Sequence, residues 1–74
     1  MEQFAVILVH STSHAIYAER VLNDAGLVIK LVPTPRHLSS DCGSAVRIAA
    51  KDSSTAERLL GKSRVPIDRI EPLG

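Results

Sequence analysis

Phe4-Ala5-Val6-Ile7-Leu8-Val9 is an unbroken apolar run. Its length and β-branched content predict a strand buried on both faces. Ser11-Thr12-Ser13 follows and offers hydroxyl groups that can cap a helix. Ala15, Ala18, Leu22 and Ala25 then recur at helical spacing with Val21 beside them, while Glu19, Arg20, Asn23 and Asp24 fall on the other side. Gly26 ends this helix, as a left-handed cap does. Val28-Ile29-Lys30-Leu31-Val32 predicts a second strand closed by Pro33, and Ala45-Val46-Arg47-Ile48-Ala49 a third. Asp52-Ser53-Ser54 opens a second helix, with Ser54 and Glu57 at capping-box spacing. Ala56, Leu59 and Leu60 give that helix a short apolar face, and Gly61 is its expected end. Ile67 to Ile70, between Pro66 and Pro72, reads as a final edge strand.

The order βαββαβ in one domain, residues 1–74, predicts an α+β, ferredoxin-like sandwich. That fold has a four-stranded antiparallel sheet in the order 4-1-3-2 with two helices on one face. A central first strand agrees with the absence of polar residues from Phe4 to Val9. The topology brings the end of strand one, the start of helix one, the end of strand two and the start of strand three to one edge. His10 to His14 and Arg36 to Gly43 are therefore expected to meet in space.

Composition narrows the function. Nine basic and eight acidic residues are interspersed, for a net charge of +1, with no block suited to nucleic acid or anionic lipid. Phe4 and Tyr17 are the only aromatic residues besides the histidines, too few for a base-stacking platform. The run from Phe4 to Val9 is too short to span a bilayer, and no basic segment precedes it as in a signal peptide. A cytoplasmic setting fits, where a thiol stays reduced. A chain of 74 residues buries a thin core, and one cysteine cannot form an internal disulfide. Strand one is apolar on both alternating sets, yet helices cover one face. A homodimer or a partner protein on the open face is therefore expected.

The segment Pro33-Thr34-Pro35-Arg36-His37-Leu38-Ser39-Ser40-Asp41-Cys42-Gly43 carries the candidate chemistry. It is longer than an ordinary hairpin connection. Cys42 is expected beside the N-terminus of helix one, whose free N–H groups carry about half a positive charge. Arg36 and Arg47 are further cations that would favour thiolate, and Asp41 opposes it. Gly43 leaves the backbone beside the sulfur open. Free cysteine is equally a common small apolar core residue. His10, His14, His37 and Cys42 could in principle satisfy tetrahedral zinc, but no two of them have a recognised ligand spacing, and no metal or cofactor is assigned. Ser11, Thr12, Ser13 and Arg36 suit a carboxylate, phosphate or selenium/sulfur oxyanion at the helix start. Ser39 and Ser40 suit local backbone caps. Pro33 and Pro35 stiffen the strand exit and fix where Arg36 leaves it.

Nearly the whole chain resembles the selenium/sulfur (Se/S) carrier protein-like family, short bacterial domains of unestablished activity. The residues that carry the resemblance are Ser11-Thr12-Ser13-His14-Ala15, Glu19 and Leu22 to Gly26, then Pro33-Thr34-Pro35-Arg36, Leu38-Ser39-Ser40, Cys42-Gly43, Ala45 and Arg47. Asp41 stands where many members have serine. The resemblance implies that Cys42 carries sulfur or selenium as a persulfide or perselenide between a donor and an acceptor protein, more a carrier than an enzyme. Known sulfur-relay carriers often place their cysteine before a proline at a helix start, which Cys42-Gly43 does not match. Site residues on this reading are Cys42 with Arg36, Ser11, Thr12, Ser13, His14, Ser39, Ser40, Gly43 and Arg47. The alternative is a non-catalytic module that binds a small anion or a protein, with Cys42 structural.

Overall fold

A computed structural model describes residues 3–38 and 43–73. The elements are β1 (Phe4–Leu8), α1 (Thr12–Asp24), β2 (Ile29–Pro33), β3 (Ser44–Ala49), a 3₁₀ turn (Ala50–Asp52), α2 (Ser53–Lys62) and β4 (Arg69–Pro72). All pairings are antiparallel, and the sheet order is β2-β3-β1-β4. This is the expected ferredoxin-like sandwich, with the apolar strand β1 at its centre.

Alternation along β1 splits its side chains between two clusters. Ala5, Ile7 and Val9 join Val46, Ile48 and the buried helix residues Ala15, Ala18, Leu22, Ala56 and Leu60 in the main core. Val6 and Leu8 face the other side with Ala45, and Val32 and Leu38 pack against them. Both Val6 and Leu8 are 0% exposed within a single chain. The expectation of a bare apolar sheet face is therefore corrected. In register, Val6 is flanked by Arg47 and Glu71, and Leu8 by Ala45 and Arg69. The stems of long charged side chains cover apolar surface while their heads stay wet. Leu38, from the β2–β3 loop, closes over the rest. Val6 and Leu8 therefore need no partner chain to be buried.

Both sheet edges are blunted by proline. The Thr34 N–H donates to the Gly43 carbonyl at 2.9 Å, and the Leu73 N–H to the Phe4 carbonyl at 2.9 Å. Antiparallel hydrogen bonds alternate along a strand, so the intervening positions Pro33 and Pro72 are those that turn toward solvent. Each edge thus lacks a donor that a further strand would need. Pro33 was expected to close β2 and instead ends it inside the ladder, opposite Ser44. Likewise β4 lies at Arg69–Pro72 rather than Ile67–Ile70, because Pro72 needs no inward N–H opposite Ala5.

Two details of α2 differ from the expected signals. The capping box of Ser54 and Glu57 is not formed, since the chain enters α2 through the 3₁₀ turn and Asp52 is its N-cap, without a side-chain bond. Gly61 lies inside the helix, and the left-handed residue is Arg64, φ +57°. In α1 the left-handed residue is Gly26, φ +86°. Both helices end in the same pair of bonds: Leu27 N–H to Leu22 O with Gly26 N–H to Asn23 O, and Val65 N–H to Leu60 O with Arg64 N–H to Gly61 O. This motif brings together the residues five apart, Leu22 with Leu27 and Leu60 with Val65, and all four belong to the main core. Ending α2 with Gly61 as the left-handed residue would pair Glu57 with Lys62 instead. Burial of Leu60 and Val65 outweighs the cost of a left-handed arginine, about 1–2 kcal/mol.

Two stability changes follow and are read from urea unfolding midpoints. Arg64→Gly relieves the left-handed strain and stabilises by about 0.5–1 kcal/mol after the added chain entropy is counted. Leu38→Ala uncovers part of the second cluster and destabilises by about 1–2 kcal/mol, below the range for a fully buried leucine.

Candidate functional site

Four segments meet at one end of the sheet. Leu8 pairs with both Ala45 and Arg69, Val32 pairs with Ala45, and Pro33 pairs with Ser44. The Asp68 N–H donates to the Leu8 carbonyl at 2.7 Å, which brings the entry of β4 to the same place. Strand β1 leaves this end through Val9 and His10 into α1. The exit of β1 toward α1, the end of β2 and the start of β3 therefore lie at one end of the sheet, as the strand order predicts.

Ser11 is the N-cap of α1, in extended conformation (φ −153°), and its Oγ accepts from the His14 N–H at 3.3 Å. Its carbonyl accepts the first helical bond, from Ala15 N–H at 3.1 Å. Thr12 and Ser13 are exposed, and no acidic side chain lies in the first turn. The positive end of the α1 dipole is thus left without a carboxylate of its own helix. The imidazole of His14 is partly buried, and its Nδ1 has neither solvent contact nor a hydrogen-bond partner. Such orphaned atoms are rare and mark positions where an incoming group can complete the pairing.

The described part of the loop turns away from the helices. The Leu38 N–H donates to the Pro35 carbonyl at 3.0 Å, which closes a tight turn with Arg36 and His37 exposed at its tip. Leu38 then packs on Val6, Leu8 and Ala45, on the face opposite α1. Arg36 and His37 thus belong to the open-face side of this end rather than the helix side. No cis peptide occurs among the described residues, so Pro35 is trans. Ser39, Ser40, Asp41 and Cys42 lie outside the described residues. Gly43 is exposed, with none of the described residues within 4 Å of where a Cβ would stand.

Arg47 is drawn elsewhere. It pairs with Val6, and its guanidinium carbon stands 4.3 Å from the centroid of the Phe4 ring. Phe4 lies at the opposite end of β1 from Leu8, about 13 Å away by strand rise. The attraction of a cation to an aromatic face holds the Arg47 charge away from the loop. The cation that joins this end, and that sequence reading missed, is Arg69. It shares a cross-strand row with Leu8, and its Nη1 meets Asp68 Oδ2 at 2.6 Å while Nε faces Glu71 Oε1 at 3.9 Å. Only the register of β4 reveals this position, and the composition of Ile67 to Pro72 does not fix that register. Among the described residues, no three histidine, aspartate or glutamate side chains gather as a metal site, so His10, His14 and His37 form no ligand cluster by themselves.

Among the described residues no helix is long and apolar enough to cross a membrane. No curated protein and no solved structure matches the chain. A family model does, over residues 4–72, from the first residue of β1 to the last of β4. That span includes the α1 cap, the whole β2–β3 loop and Cys42, so the chain belongs to the family described as "Putative Se/S carrier protein-like".

Proposed function

We propose that the protein carries a sulfur or selenium atom on Cys42, taking it from a donor protein and passing it to an acceptor protein. The observation that carries this reading is family membership over residues 4–72 in a chain whose only cysteine lies in the loop ending beside α1. Loading is an exchange at sulfur. The Cys42 thiolate attacks the outer sulfur of a donor persulfide, R–S–SH. A new S–S bond forms at Cys42, the S–S bond of the donor breaks, and the donor leaves as the thiolate R–S⁻. The Cys42 persulfide then passes its outer sulfur to an acceptor thiolate by the same step in reverse roles. Neither step needs an outside oxidant or reductant. A perselenide follows the same balance with selenium as the outer atom.

The surroundings support this chemistry in three ways. The α1 N-terminus has no carboxylate of its own first turn, which favours negative charge nearby. Arg36 is exposed at the loop tip and is a cation six residues from Cys42 in the chain. The chain has one cysteine, so no second thiol can discharge the loaded sulfur as an internal disulfide. In the proposal Ser11, Thr12, Ser13, His14 and Gly43 frame the approach, with Ser39 and Ser40 as neighbours of the thiol in the chain. A reducing cytoplasm is the compartment that suits a free carrier thiol. The second reading, a non-catalytic anion-binding module, draws on the same α1 terminus and on Asp41 beside Cys42.

Intact-mass measurement after mixing with a small-molecule persulfide separates the two. The native chain gains the mass of one sulfur, and dithiothreitol removes it. Cys42→Ser gains none and keeps the native circular dichroism spectrum. Arg36→Ala loads more slowly, because loss of a nearby positive charge lowers the thiolate fraction. A native chain that gains no sulfur while still binding inorganic phosphate at the α1 terminus supports the module instead.

A further inference from the structure

The open face holds a second feature, at the end of the sheet far from the β2–β3 loop. Phe4 pairs with Ala49, and Ile29 pairs with Ile48, so one residue further Val28 stands across from Ala49. Val28, Ala49 and Phe4 thus form a row across the face. The small Ala49 between two larger neighbours leaves a notch of about 190 Å³, lined by Phe4, Val28, Ile29, Arg47, Ile48 and Ala49. Val28 is 87% exposed, although it is a branched aliphatic residue beside a sheet.

The next row carries two cations, of which Arg47 lines the notch. Lys30 pairs directly with Arg47 across β2 and β3, and like charges at paired positions oppose folding. The Arg47 guanidinium lies against one wall, 4.3 Å from the Phe4 centroid. The nearest acidic residue in the same row is Glu71, two strands away, and it faces Arg69. Neither Lys30 nor Arg47 has an acidic partner among the described residues. An apolar recess lined by an arginine without an acidic partner, with a second cation opposite that arginine in register, is a recognition element for one class of ligand.

We infer that this notch binds a carboxylate carried on an apolar body. The planar fork of Arg47 suits the two carboxylate oxygens, and Lys30 adds a second charge. Phe4, Val28 and Ala49 receive the apolar part. The notch is smaller than ordinary ligand pockets, which span about 300–1,000 Å³. It therefore takes an aryl or branched alkyl acid rather than a nucleotide or a large cofactor. The same chemistry is offered by a free organic acid or by a glutamate with an apolar neighbour on a polypeptide. This site does not depend on Cys42 or on sulfur transfer.

The test is an amide ¹H–¹⁵N correlation titration of the full chain with 3-phenylpropionate, with its neutral amide as control. The expected result is saturable shifts confined to residues 4, 28–30 and 47–49, with the neutral amide about tenfold weaker, the loss expected for a charged hydrogen bond. Arg47→Gln weakens binding by a similar factor. Ala49→Leu fills the notch and abolishes the shifts, and Arg47→Gln keeps the test valid if Ala49→Leu does not fold. A parallel titration with acetyl-Glu-Phe-amide names the source: tighter binding of the peptide assigns the site to a partner polypeptide, and tighter binding of the free acid to a small molecule. Shifts that do not saturate, that are equal for acid and amide, or that persist in a folded Ala49→Leu variant overturn the inference.

Discussion

Strand β1 offers water no polar side chain from either face. Five consecutive residues, Ala5 to Val9, are at most 3% exposed. Two helices can cover one side of the sheet only, so the chain must find cover for the other from its own remaining parts. It does so with the aliphatic stems of Arg47, Arg69 and Glu71 beside β1, and with Leu38 from the β2–β3 loop. Hydrophobic burial on this scale is worth roughly 25 cal/mol per Å², and in a small domain the second cluster cannot be left open. Leu38 is held on the open face by this need, against Val6, Leu8 and Ala45.

The same constraint decides where charge sits. Arg47 is in the centre of the open face, where its stem covers Val6 and its head rests on Phe4. It cannot also serve a thiol at the other end of the strand. Arg69 takes that end, held by Asp68 and Glu71. Positive charge near the loop is then divided between Arg36, which is exposed, the α1 terminus, and an arginine already paired with two carboxylates. At the helix terminus Ser11 caps with a neutral hydroxyl, and no acid follows in the first turn.

The fold was legible because periodicity and caps agreed. The apolar run of β1, the Ser11 cap and the Gly26 stop each have one physical reading, and each stands where the sequence puts it. The ends of α2 and β4 were not legible in the same way. Gly61 looks like a helix stop, but the stop depends on which apolar pair the closing turn can bury, and Leu60 with Val65 lie three residues later than the glycine suggests. Pro72 looks like a boundary, yet an outward-facing edge position accepts proline. That the β1 exit, the end of β2 and the start of β3 share one end of the sheet could be deduced from strand order alone. The fate of Arg47 could not, since it depends on a contact with Phe4 on the neighbouring strand. The cover over Val6 and Leu8 was not legible either, since it depends on which residues stand beside them in register and on where Leu38 packs.

The proposal that Cys42 is the carrier atom requires an accessible thiol that ionises readily. Its rate of alkylation by iodoacetamide in the folded chain, followed against pH, tests this most directly. The account predicts a rate that rises with an inflection below the value of about 8.5 for a model thiol. An inflection at or above that value, or alkylation only after the chain is unfolded, would contradict it.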